Sequence, residues 1–269
     1  MSIILFAGIR FTFAGIFTIL FGSLLSHEVL LPRKNSIGMI CLLSIVQTIV
    51  QYVLFYLGLA HTVGAKGAII SGMNCFFAIL ISSLLFHMEK LTLKKLLGCI
   101  IGFIGIIVLN ITNGFSLSFT FQGEGFLTLS TASYALSSVL MKRFSDKENP
   151  VTLSGWQFII GGFVMIVLAT INGGKLQPVS FSAWILMLYL SLLSAAAYTI
   201  WGLLLKYNPV SKITAFSFAT PVFGVILSII FLNETINPVQ YIISLILVCI
   251  GITMVNHVKE SKSSISSEK

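Results

Sequence analysis

Gly8-Ile9-Arg10-Phe11-Thr12-Phe13-Ala14-Gly15 is answered further along the chain by Gly155-Trp156-Gln157-Phe158-Ile159-Ile160-Gly161-Gly162. Gly8, Arg10, Phe11 and Gly15 line up with Gly155, Gln157, Phe158 and Gly162, within an offset of 145 to 147 residues that other positions share. Thr48, Tyr52 and Phe55 fall on Ser194, Tyr198 and Trp201. Ser71, Asn74 and Ser82 fall on Ser217, Thr220 and Ser228. Lys66 meets Lys212, Gly105 meets Gly251, and Asn110 meets Asn256. The second part of the chain therefore repeats the first. It also begins earlier, with an apolar stretch near 123–142 whose counterpart would lie before Met1. The expectation is a duplicated five-span unit with the leading span absent.

The spans follow from composition. The 269 residues are 57% hydrophobic and 9% charged, with mean hydropathy +1.02, whereas soluble domains carry about 25% charged residues. Apolar runs of about 20 residues, each long enough to cross a bilayer as a helix, recur along the whole length. They cover 3–25, 37–59, 65–86, 93–111, 123–142, 151–171, 182–205, 210–232 and 238–256. The links are short and leave no room for a soluble catalytic domain. The fold class expected is an all-α integral membrane bundle of nine transmembrane helices. Residues 1–111 form the first repeat, 123–256 the second, and 257–269 a disordered cytoplasmic tail rich in Ser and Lys.

A net charge of +8 could point to nucleic acid, but its distribution excludes that reading. Alternate connections hold Arg33 and Lys34, then Lys90, Lys94 and Lys95, then Lys142, Arg143 and Lys147, then Lys206 and Lys212, then the tail lysines. Those are 13 of the 16 basic residues. The opposite connections hold Lys66 and Lys175, and Arg10 lies inside a span. The positive-inside rule puts the tail in the cytoplasm and Met1 outside. Short loops without targeting segments suit a bacterial plasma membrane. The first run lacks a basic leader and a small-residue cleavage site, so it reads as a span rather than a signal peptide. Cys41, Cys75, Cys99 and Cys249 all sit in spans without metal-type spacing and read as core or lipid-facing hydrophobes.

Equivalent spans are five apart. Five is odd, so each span enters the membrane opposite to its partner, which makes an inverted-topology repeat of four plus five helices. Secondary transporters are commonly built this way, with substrate near the midplane. Thr92 is placed to N-cap the fourth span, and Asn237 with Pro238 the ninth. Glu89 and Glu234 precede these caps and are expected to favour the helix starts.

Further motifs carry a family resemblance. They are Gly8-Ile9-Arg10-Phe11 with Ala14, Tyr56-Leu57-Gly58-Leu59-Ala60, and Glu89-Lys90-Leu91-Thr92 followed by Gly98 and Gly102. In the second copy they are Thr220-Pro221-Val222-Phe223, and Asn233-Glu234 with Gly251. By their order, spacing and duplication over 3–256, the chain resembles the EamA-type branch of the drug/metabolite transporter superfamily. The resemblance implies ten helices in two five-helix halves, and export or import of small metabolites. This chain departs from it by lacking the first helix, and by Cys75 where the second copy has Pro221.

Polar side chains facing lipid are costly, so polar stripes should face the interior. Ser71, Asn74, Ala78 and Ser82 share one face, and Ser217, Thr220, Gly224 and Ser228 the matching one. Thr48, Tyr52 and Phe55, with Gln51 beside them, are repeated by Ser194, Tyr198 and Trp201. Ser130, Tyr134 and Ser137 form a further polar face. Small residues and hydroxyls of this kind also serve plain helix packing. The two aromatic faces are expected to wall one central substrate pathway, because inverted repeats turn equivalent faces toward one site. Its expected members are Tyr52, Phe55, Asn74, Tyr134, Tyr198, Trp201, Ser217, Thr220, Pro221, Gln51 and Arg10. Pro221 removes the helical donor of the Ser217 carbonyl, either freeing it for substrate or merely kinking the helix. Arg10, about 10 Å into its helix, either snorkels to the outer surface or pairs with a carboxylate of the substrate. Without a leading helix, polar atoms of Gln51 or Asn74 are expected to meet lipid.

Absences narrow the function. No Asp or Glu lies mid-span, Glu124 coming nearest, which argues against proton relays and for transport down a substrate gradient. No cluster of intramembrane cations suits phosphorylated sugars. No GxxxxGK[ST] loop serves ATP. No nucleophile–base pair or metal constellation suggests an enzyme, a metal or a cofactor. The partners expected are a small-molecule substrate and the lipid bilayer, with no nucleic acid. Gly98, Gly102 and Gly105 form a close-packing face, used within the bundle or between protomers of a homodimer. The expectation is a secondary transporter exporting small neutral, zwitterionic or amphipathic metabolites such as amino acids by alternating access. The alternative is a truncated or accessory membrane protein that does not transport.

Overall fold

A computed structural model describes residues 3–109, 119–175, 180–232 and 238–256. These residues form nine helical columns and, among them, no strand. The columns are α1 (Ile3–Ser26), α2 (Lys34–Leu59), α3 (Gly64–Leu85), α4 (Leu93–Leu109), α5 (121–144), α6 (Pro150–Ile171), α7 (Phe181–Tyr207), α8 (Val210–Phe231) and α9 (Pro238–Asn256). Each coincides within a few residues with one apolar run. Six are long and apolar enough to cross a membrane, and Val239–Val255 is a shorter apolar helix. The molecule is an all-α membrane bundle. Asn110, Asn233, Glu234, Asn237 and the tail from 257, about which the sequence made claims, lie outside the described residues.

Local chemistry sets the helix ends. Asn149 Oδ1 accepts the Val151 N–H at 2.9 Å ahead of Pro150, so α6 starts with an N-cap and a proline that has no N–H to lose. Thr92 Oγ1 accepts the Lys95 N–H at 3.3 Å, the cap expected for α4. Helices α1 and α6 stop at matching places in the repeat, through His27 (φ 54) and Gly173 (φ 78) in the left-handed conformation that closes a helix.

Four columns are irregular, among them α5, which opens in π-helical geometry over Phe121–Gly125. Helix α2 widens to π-helical geometry over Ser44–Val50. Helix α3 breaks at Met73, between Gly64–Gly72 and Asn74–Leu80. Helix α8 tightens to a 3-10 turn at Ala215–Phe218, just before Pro221 withholds an N–H from it.

Close glycine contacts organise the bundle. A Cβ on Gly8 would lie 2.9 Å from the Gly162 carbonyl oxygen, and one on Gly15 would lie 2.5 Å from that of Gly155. Any side chain there would force α1 and α6 apart, so only glycine permits this approach. The pairing is antiparallel and reciprocal: Gly8 meets the equivalent of Gly15, and Gly15 meets the equivalent of Gly8. Helices α4 and α9 behave alike. A Cβ on Gly98 would lie 2.6 Å from the Gly251 oxygen, and one on Gly105 would lie 3.0 Å from the Ser244 oxygen. The small-residue face of α4 is thus used within the bundle. Helices α3 and α8 pack through Gly72 against Pro221 and Ala68 against Gly224. Gln51 and Asn74 are buried rather than lipid-facing. Ser130 and Ser133 of α5 cover that stretch of α2, donating to the Gln51 and Val46 carbonyls at 2.7 Å each.

Candidate functional site

Helices α2 and α7 meet through repeat-equivalent tyrosines. The hydroxyls of Tyr52 and Tyr198 share a hydrogen bond of 2.5 Å. Phe11 of α1 lies 4.2 Å from the Tyr52 ring and stacks at 5.2 Å on its own equivalent, Phe158. Phe158 meets the Tyr198 ring edge-on at 4.9 Å. Tyr134 of α5 closes the group, edge-on to Tyr198 at 6.3 Å and stacked on Trp201 at 6.2 Å. Trp201 Nε1 donates to Ser138 Oγ at 3.4 Å. The two aromatic faces therefore close on each other at the centre of the bundle.

Arg10 does not snorkel outward. Its guanidinium carbon lies 4.3 Å from the centre of the Phe11 ring and 5.5 Å from that of Tyr52. The negative faces of those rings attract it. Among the described residues no carboxylate pairs with it, since the two ion pairs involve other lysines. Its Nε is buried without a partner. Gln157, which takes the place of Arg10 in the second copy, instead donates from Nε2 to Gln47 Oε1 at 2.9 Å.

Several acceptors share this interior without donors. Thr48 Oγ1, Gln51 Oε1, Asn74 Oδ1 and Gln157 Oε1 are buried and unpartnered among protein atoms. Unpaired buried oxygens are costly, so they suit a site that receives N–H or O–H groups. The bundle interior thus holds, among the described residues, a cation without a carboxylate partner, several unpartnered amide and hydroxyl oxygens, and an aromatic cluster.

Asn74, Ser217, Thr220 and Pro221 lie on the seam between α3 and α8. Asn74 Nδ2 donates to Ser217 Oγ at 3.2 Å. Pro221 is buried against Gly72. Phe55, in ring contact with Tyr52 at 6.4 Å, also lines a cavity of about 380 Å³ with Ser71, Thr220, Gly224 and Ser228. Phe55 is therefore the link between the aromatic centre and this side cavity. Among the described residues, no three His, Cys, Asp or Glu side chains converge as a metal site would require.

Two ion pairs, one part-buried and one buried, involve lysines that read from the sequence as loop charges. Glu124 Oε1 receives Lys66 Nζ at 3.0 Å and Thr62 Oγ1 at 3.1 Å. Its Oε2 receives the Thr120 N–H at 2.9 Å and Thr120 Oγ1 at 2.7 Å. This group ties the α2–α3 connection to the start of α5. On the other pair, Glu89 Oε2 receives Lys95 Nζ at 3.0 Å, with side chains 5% and 2% exposed. Glu89 Oε1 accepts the Ser211 N–H at 3.0 Å. The helix start that Glu89 serves is thus that of α8, not of α4 as expected. The first N–H groups of α8 have no intrahelical acceptor and carry partial positive charge, so they draw the carboxylate across the bundle. Burial alone would raise the Glu89 pKa, but the bonds from Ser211 and Lys95 hold it below its usual value. For this second pair the available sequence signal is Lys95 inside an apolar run with Glu89 six residues away; the first pair, 58 residues apart, has no such signal.

Comparison with known proteins gives a consistent picture. The EamA-like transporter family matches residues 1–111 and again 121–257. A WAT1-related chloroplastic protein of Arabidopsis thaliana is 27% identical over 195 residues, 69% of this chain but 46% of that protein. The chain thus spans less than half of the plant relative. YyaM of Bacillus subtilis (strain 168), named an uncharacterized transporter, is 27% identical over 82% of this chain and 73% of its own length. A crystal structure at 16% identity superposes with a TM-score of 0.74, covering 96% of this chain and 90% of the other, and shares the fold.

Proposed function

This chain belongs to the EamA-like transporter family, and from that premise we propose that it exports small zwitterionic metabolites, amino acids being the simplest, by alternating access. The observation that carries the substrate class is Arg10, an intramembrane cation without a carboxylate partner among the described residues, taken together with buried oxygens that have no protein partner. A substrate carboxylate satisfies the guanidinium in a charge-assisted hydrogen bond. Its ammonium group supplies donors to oxygens such as Gln51 Oε1 and Thr48 Oγ1. An apolar side chain packs against Tyr52, Phe55, Tyr134, Tyr198 and Trp201, and the cavity beside Phe55 offers an approach past Asn74, Ser217, Thr220 and Pro221.

The two halves act as an inverted repeat in this reading. Support comes from the reciprocal contacts of Gly8, Gly15, Gly155 and Gly162, and from the self-pairing of Phe11 with Phe158 and Tyr52 with Tyr198. The Tyr52–Tyr198 contact is the midplane barrier. The Lys66–Glu124 group closes the outer end, and the Glu89–Lys95–Ser211 group closes the cytoplasmic end. Rocking one half against the other opens one group while the other holds. Met1 is placed outside and Lys269 in the cytoplasm by the positive-inside rule. A metabolite abundant in the cell then leaves down its own gradient.

The test is counterflow of labelled amino acids in proteoliposomes. The wild-type chain should show saturable exchange. Arg10→Gln should lower apparent affinity roughly 10- to 100-fold, as expected for a lost charge-assisted bond of about 1.5–3 kcal/mol, and Arg10→Lys should recover part of it. Saturable exchange unchanged in Arg10→Gln would remove the carboxylate from the proposal.

A further inference from the structure

Where α1 ends and α6 begins, two cavities of opposite character adjoin. The first is an apolar groove of about 680 Å³ between α1 and α7, walled by Phe17, Phe21, Leu25, Leu192, Ile200 and Leu203. It ends at Leu30 and Asn149. The second, about 380 Å³, lies just beyond that end and is lined by Arg33, Lys34, Asn35, Ser36, Met39 and Lys147. The two are joined by short bonds. Trp156 Nε1 donates to the Leu30 carbonyl at 3.0 Å. Glu148 accepts Ser36 Oγ at 2.6 Å, the Arg33 N–H at 3.4 Å and the Asn149 N–H at 3.0 Å.

Glu148 lies in electrostatic contact with Arg33 and offsets only one of the three cations that line the basic pocket. Burial works to raise its pKa, yet the Ser36, Asn149 and Arg33 bonds hold it below the usual value, so it stays ionised and bound inward. Its role is to pin the 31–36 loop onto the start of α6. Arg33, Lys34 and Lys147 make no ion pair with a described carboxylate, and the pocket keeps a positive excess. The groove runs along α7 from Leu192 to Leu203, which at 1.5 Å per residue is roughly 16 Å, close to half of a hydrocarbon core of about 30 Å. A headgroup-sized basic pocket thus caps an apolar slot one leaflet deep.

We propose that this composite site binds one anionic phospholipid, with its phosphate among Arg33, Lys34 and Lys147 and an acyl chain in the α1–α7 groove. The inference stands apart from the transport reading and needs neither its substrate nor its direction. A bound chain fills the flank of α7 directly behind Tyr198 and Trp201, and the headgroup holds the loop that enters α2.

The experiment uses the full chain, delipidated in detergent and examined by native mass spectrometry after titration with phosphatidylglycerol, phosphatidylcholine, glycerol phosphate or inorganic phosphate. The wild type should retain one phosphatidylglycerol per chain in preference to phosphatidylcholine. The combined change Arg33→Gln, Lys34→Gln and Lys147→Gln should weaken retention on the order of 100-fold, at about five-fold per cation near a membrane surface. Ala196 also lines the groove, so Ala196→Trp should block it and release the lipid, while Lys90→Gln with Lys94→Gln should not. Thermal melts of each variant separate lost binding from lost folding. Equal retention of the two phospholipids, or retention in the folded triple variant, would overturn the proposal. So would inorganic or glycerol phosphate binding as tightly as the lipid, which would make the pocket a soluble-anion site. A dimer that excludes lipid would overturn it too, by assigning the groove to a second copy.

Discussion

Tyr52 and Tyr198 occupy the same position in the two halves of the chain and hydrogen-bond to each other through their hydroxyls. Residues that touch their own equivalents lie on a two-fold relation, and Phe11 with Phe158 repeats the pattern one layer away. This contact joins the two sequence repeats through equivalent residues, and its consequences can be measured.

Removing one hydroxyl strands the other. Tyr52→Phe and Tyr198→Phe should each cost about 1–3 kcal/mol, while the double variant should cost less than their sum, because no orphaned hydroxyl remains. Thermal or denaturant unfolding of the four proteins completes the cycle. Strict additivity would mean that the hydroxyls do not interact.

Glycine contacts between α1 and α6 predict a steric effect with the same symmetry. Gly15→Leu and Gly155→Leu should both destabilise the bundle, by roughly 1–3 kcal/mol or more as overpacking requires. Gly38→Leu should be tolerated, since nothing lies within 4 Å of a Cβ there. Unfolding midpoints in detergent decide between these outcomes.

Lys95→Met leaves the Glu89 carboxylate buried beside apolar groups. Breaking such a pair costs about 3–5 kcal/mol, whereas replacing both charges is far milder. Glu89→Gln combined with Lys95→Met should therefore be more stable than Lys95→Met alone. The opposite ranking would show that the pair is solvated.

Acid should loosen the same end. Glu89 has a folded pKa below its ordinary value of 4.5, so its stabilisation is complete above that value. It is lost as pH falls from 4.5 through the lower folded value, where the carboxylate gains a proton. The protection factor of the Ser211 amide, its exchange corrected for the intrinsic rate at each pH, should fall over that acid window and stay flat above it. In Glu89→Gln the acid dependence should vanish.

Orientation is open to labelling. Cysteines introduced at Lys175 and Lys147 should react with an impermeant reagent from outside and from the cytoplasm, respectively. Reversed labelling would invert the proposed topology and with it the assignment of the two ion-pair groups.

The sequence alone determined the membrane class and the helix plan, because both rest on local quantities. A run of about 20 apolar residues has one economical conformation in lipid, and Thr92 as a cap needs only its own neighbours. The offset between Gly8 and Gly155, or Tyr52 and Tyr198, was equally legible, since a repeat is a property of the string. Which residues meet across that repeat was not. Arg10 could be placed at a depth, but its turn toward Phe11 and Tyr52 depends on a ring that a second helix delivers. Glu89 could be placed near a helix start, but its bond to Ser211 depends on a start 122 residues away in the chain. Lys66 and Lys95 read as loop charges because burial is decided by neighbours, not by the residue. Covalent order fixed the helices and their symmetry. Long-range packing alone decided which charges are paired among the described residues and which, like Arg10, are not.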